Sequence, residues 1–134
     1  MNKLYVRSVL CVGLLLAASA SQAQIAVIMG PSAAPITKDV LASTYLGKRF
    51  ELKPIDMPEG DALREQFYKK ATDRDQAQVK AVWARVIFTG KGQSPLMLPD
   101  AASIKKAVGT DPKAIGYIDK SAVDSSVKVV LMLE

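Results

Sequence analysis

The sequence predicts a single α/β domain in which a mixed sheet is flanked by about four helices. Three observations predict it. Short apolar runs alternate with segments of helical periodicity, the joints between them carry Gly, Pro and capping Asp or Thr, and no internal repeat or low-complexity tract interrupts the series. The order of elements reads β-α-β-α-α-α-β-β, with apolar early strands joined through helices.

The first 23 residues stand apart from that domain. Lys3 and Arg7 precede an apolar run from Val9 to Ala18, too short for the roughly 20 apolar residues of a membrane-crossing helix. Ser21-Gln22-Ala23 supplies small side chains at a peptidase site, so residues 1–23 read as a signal peptide cleaved after Ala23, and the expected location is the periplasm. Residues 24–134 form the expected domain.

Ile25 to Met29 is an unbroken apolar run stopped by Gly30-Pro31, as in a buried strand. Thr37 caps a helix through Leu46, with Val40, Leu41, Thr44 and Tyr45 on one face and Gly47 ending it. A short strand over Lys53–Met57 follows. Pro58-Glu59-Gly60 turns the chain into a second helix, where Leu63, Phe67 and Ala71 recur at spacing four. Asp73 or Asp75 starts a third, with Gln78 completing a capping box after Asp75 and Val79, Val82, Trp83 and Val86 forming the apolar stripe. Gly90, Gly92 and Pro95 make a loop, and Asp100 opens a fourth helix carrying Ile104 and Val108, which Gly109 and Pro112 should end. Two strands, Ala114 to Asp119 and Val127 to Leu133, close the chain. Val127 to Leu133 reads as a core strand or as a homodimer contact.

Composition narrows the chemistry. The 134 residues hold 18 Lys plus Arg, 13 Asp plus Glu, no His and one Cys. Without His there is no Ser-His-Asp or Cys-His machinery and no imidazole base, and a lone Cys forms no intramolecular disulfide. No nucleophile, base and oxyanion set assembles, so the chain is not expected to be an enzyme, and no catalytic residue, metal site or cofactor is assigned. Cys11, Lys3 and Arg7 fall in the leader, so residues 24–134 form a Cys-free domain with 16 basic and 13 acidic residues, net +3. The basic residues are interspersed with acids and form no stripe, which argues against nucleic acid.

Ile25 to Met29 before Gly30-Pro31-Ser32, Ile36 to Leu41, and Tyr45-Leu46-Gly47-Lys48-Arg49 resemble the strand, turn, helix and loop of phosphate-type periplasmic solute-binding proteins. Pro58 to Tyr68 is similar to that family's turn and helix, Trp83 to Gly92 to its "W…IFTGKG" segment, and Ala114-Ile115-Gly116-Tyr117-Ile118 to its "AIGY" strand. The resemblance spans the whole of residues 24–134 and implies one lobe of a type 2 periplasmic-binding-protein fold, PstS-like and in a short form. It further implies the substrate-binding component of a phosphate ABC transporter, with phosphate or a related oxyanion as ligand and an ABC permease or other envelope protein as partner.

A helix starting after a glycine turn offers unpaired N–H groups and a positive dipole end to an anion. The candidate ligand-binding residues are therefore Gly60, Asp61, Ala62, Leu63 and Arg64, through backbone amides and the Arg64 guanidinium, with Lys48 and Arg49 as nearby cations. Each has a plainer role as a cap or surface residue. Asp61 and Leu63 stand where phosphate binders of this kind carry hydroxyls, and the family's members have two lobes where 111 residues supply one. The alternative expectation is thus an envelope interaction or sensory module that has lost ligand binding.

Overall fold

The computed structural model describes residues 24–134, so the expected signal peptide lies outside the described residues. Five strands form one mixed sheet: β1 (Ile25–Met29), β2 (Lys53–Asp56), β3 (Leu96–Met97), β4 (Ala114–Asp119) and β5 (Lys128–Leu133). Four helices accompany them: α1 (Lys38–Tyr45), α2 (Ala62–Thr72), α3 (Gln76–Phe88) and α4 (Ala101–Thr110). The sheet order is β3-β2-β4-β1-β5. β2 runs parallel to β3 and β4, and β1 runs antiparallel to β4 and β5.

The unbroken apolar run of β1 follows from its place between β4 and β5, where all five side chains are buried. β4 is nearly as enclosed, and its Gly116 is needed for close packing: a Cβ there would sit 2.7 Å from Ile104 Cγ2 of α4. In β5, Val130 and Leu133 are core residues, while Val129, Leu131 and Met132 pack against the core half-buried. Val127 to Leu133 is therefore a core strand.

The helix ends follow local chemistry. Thr37 accepts a hydrogen bond from the Val40 amide at α1, and Asp75 and Gln78 make the expected capping box at α3. Asp73 closes α2 instead, in a left-handed conformation at φ 57°. Gly47, at φ 68°, turns the chain after α1 where a Cβ would meet Val86 Cγ2 at 2.8 Å.

Two expectations are corrected. α4 runs through Gly109 to Thr110, and the stop comes from Pro112, which holds Asp111 extended at φ −123°, ψ 113°. The two-residue strand β3 replaces part of the expected loop, because Leu96 and Met97 find register partners in Ile55 and Asp56.

Candidate ligand-binding corner

The corner where β2 hands over to α2 holds the expected anion-binding residues. Gly60 adopts φ 84°, a left-handed conformation that glycine takes without strain, and an added Cβ there would meet nothing within 4 Å. Asp61 is the N-cap of α2: its Oδ1 accepts from the Leu63 amide at 2.8 Å and from the Arg64 amide at 3.3 Å. The Asp61 amide itself donates to the Pro58 carbonyl at 3.2 Å. Of the four amides expected to face a ligand, only that of Ala62 is left without such a partner among the described residues. The positive end of α2 already carries an anion, the Asp61 carboxylate.

Arg64 points inward. It belongs to the buried stripe of α2 with Phe67, Tyr68 and Ala71, and only 9% of its surface is exposed. Its Nε lies 3.3 Å from Asp56 Oδ1, an ion contact whose angle makes no hydrogen bond for that N–H, and its Nη1 donates to Gln76 Oε1 at 3.3 Å. The guanidinium carbon also stands 5.5 Å above the Tyr68 ring.

Asp56, at the carboxyl end of β2, is the residue that sequence reasoning missed. It is 1% exposed and accepts hydrogen bonds from the Tyr68 and Tyr117 hydroxyls and, at 2.8 Å, from the Met57 amide. Such multiple donation, together with Arg64, is what a buried carboxylate requires. Burial, then the Asp56 charge, push the Tyr68 and Tyr117 hydroxyls well above the ordinary tyrosine range. Burial works against the Arg64 charge, but the fields of Asp56, Tyr68 and Tyr117 outweigh it and raise its pKa.

The same cluster joins the sheet to the helices. Phe67 stacks on Tyr117 at 3.8 Å between centroids, and Tyr45 sits edge-on to Phe67 at 4.7 Å. The Tyr45 hydroxyl donates to the Ile55 carbonyl at 2.7 Å, and its own carbonyl accepts from Trp83 Nε1 at 2.9 Å.

Lys48 and Arg49 follow α1 as exposed residues. Arg49 Nε pairs with Glu51 Oε2 at 3.3 Å, and among the described residues no hydrogen bond or ion pair links either cation to residues 60–64. Asp56 and Arg64 left one legible trace: Arg64, Phe67, Tyr68 and Ala71 recur at intervals of three and four, which puts Arg64 on the apolar face of its helix.

The architecture is α/β, with a five-stranded mixed sheet and four helices among the described residues. The fold resembles a single lobe of PstS-like structures. An ABC-type phosphate transport receptor from Vibrio cholerae matches with TM-score 0.60 at 16% identity, over 81% of this chain and 46% of that one. A protein described as a phosphate ABC transporter substrate-binding protein from Clostridium perfringens, solved with bound phosphate, matches with TM-score 0.63 at 21% identity, over 81% and 45%. PstS from Borrelia burgdorferi matches with TM-score 0.56 at 13% identity, over 84% and 47%. The chain thus spans under half the length of each, and at these identities the likeness is one of fold. No protein-family model and no curated protein matches the chain.

Proposed function

We propose that the chain is an exported, periplasmic, non-enzymatic lobe of the phosphate ABC-transporter substrate-binding type. It serves an envelope partner as an interaction or sensory module and does not hold phosphate at its own α2 N-terminus. The observation that carries this reading is the Asp61 carboxylate, which accepts from the Leu63 and Arg64 amides where an oxyanion would need them. Two further features support it. Arg64 is committed to Asp56, and the chain covers under half the length of the solved structures it resembles, so an anion at this corner would stay hydrated on its open side.

A second reading is favoured by the neighbour solved with bound phosphate. In it, phosphate or a related oxyanion is held at Gly60, Asp61, Ala62, Leu63 and Arg64 once Asp61 swings off the helix end, with Lys48 and Arg49 adding charge, and an ABC permease or a second copy of the chain completes the site. Calorimetric titration of residues 24–134 with phosphate separates the two. No heat at millimolar phosphate supports the interaction module; saturable binding at micromolar phosphate would overturn it in favour of the second.

A further inference from the structure

A cleft of about 260 Å³ opens on the α3 side of the corner, lined by Glu59, Arg64, Lys80, Trp83, Ile87 and Met97 among others. It lies at the carboxyl ends of the parallel strands β2 and β3, the place where open α/β sheets bind ligands. Its volume is just under the roughly 300 Å³ at which pockets for drug-sized molecules begin, so its occupant is smaller than those.

The lining combines two chemistries. Trp83 forms an apolar wall, and Ile87 and Met97, about half exposed, leave apolar surface at the mouth. The charged residues around it are Asp56, Glu59, Arg64 and Lys80, two of each sign. Asp56 and Arg64 neutralise each other, whereas neither Glu59 nor Lys80 takes part in any of the ion pairs among the described residues. One unpaired carboxylate and one unpaired ammonium remain beside an apolar wall. A dianion would face the unpaired Glu59 carboxylate there; a small molecule carrying both charges and an apolar body matches the set.

We propose that this cleft binds a free apolar amino acid of about the size of leucine or methionine. The side chain packs against Trp83, Ile87 and Met97, the ammonium meets Glu59, and the carboxylate meets Lys80. The cleft shares Arg64 with the first turn of α2 but holds its ligand on the α3 side and not on the α2 amides, and the proposal goes beyond the reading given above.

Trp83 is the only tryptophan of the chain, so its emission reports on the cleft directly. Residues 24–134 are titrated with L-leucine, with N-acetyl-leucinamide, which keeps the body but lacks both charges, and with inorganic phosphate, by emission and by calorimetry. The expected result is saturable binding of leucine, binding of N-acetyl-leucinamide at least about tenfold weaker, and no change of emission with phosphate. Glu59→Gln should weaken leucine by about tenfold, and Ala84→Phe, which adds bulk at the lining, should abolish binding while the protein stays folded. The proposal is overturned if leucine gives neither heat nor emission change at millimolar concentration. It is equally overturned if the uncharged analogue binds as well as leucine, or if Ala84→Phe leaves binding intact. Heat from phosphate with unchanged Trp83 emission would sink the interaction-module reading alone, and the leucine titration would still decide this one.

Discussion

Arg64 Nε lies 3.3 Å from Asp56 Oδ1 with both side chains buried, which ties the first turn of α2 to the end of β2. Removing one partner leaves the other charge uncompensated in the core, at a cost of about 3–5 kcal/mol, whereas replacing both with apolar residues of similar volume is often neutral. Asp56→Leu and Arg64→Met should therefore each alone lower the unfolding free energy by about 3–5 kcal/mol, and the two together should lose much less than the sum of the single changes. Denaturant unfolding of the four proteins closes the cycle; strict additivity would mean that the pair is not energetically coupled.

Asp61 contributes to stability as a cap. Asp61→Ala should cost about 1 kcal/mol, and Asp61→Ser, which keeps an acceptor at the same place, only a few tenths. Thermal unfolding of both variants checks this. Equal losses would show that the carboxylate acts through something other than capping.

Tyr45, Tyr68 and Tyr117 are the tyrosines of residues 24–134, and all three are buried with hydroxyls raised well above the ordinary range by burial first and by Asp56 second. Because the folded values lie above the unfolded one, their contribution is complete below about pH 10 and is lost as the pH climbs beyond it. Tyrosinate absorbance should thus stay flat past pH 10 and then rise in one cooperative step with loss of circular dichroism. A gradual rise near pH 10 in the folded protein would contradict the burial of these rings.

Two left-handed glycines should respond differently to substitution. At Gly60 an added methyl group meets nothing, so Gly60→Ala should cost only the conformational penalty of about 1–2 kcal/mol. At Gly47 the same penalty is joined by a clash with Val86 Cγ2 at 2.8 Å, which adds about 1–3 kcal/mol. Chemical denaturation that ranks Gly60→Ala as the worse of the two would sink this account of the α1 and α3 packing.

What was legible in the sequence was what local chemistry decides. The apolar run of β1, the Asp75 and Gln78 capping box and the β4 segment all lie where their residue types placed them. β3 was not legible, because Leu96 and Met97 become a strand only through partners some forty residues earlier in β2. The corner was legible at Gly60, at the start of α2 and in the plainer role of Asp61 as a cap, which local chemistry decides. Arg64 was not, because its inward turn depends on Asp56, Tyr68 and Tyr117, which the fold alone brings together.

The central claim is that Asp61 already occupies the anion position of α2. The most direct measurement follows the Leu63 and Arg64 amide resonances of residues 24–134 through a phosphate titration, in the natural protein and in Asp61→Ala. The account predicts that both amides stay put in the natural protein up to millimolar phosphate and move saturably in Asp61→Ala, where no side-chain acceptor is left on them. Saturable movement of both amides in the natural protein at micromolar phosphate would contradict it.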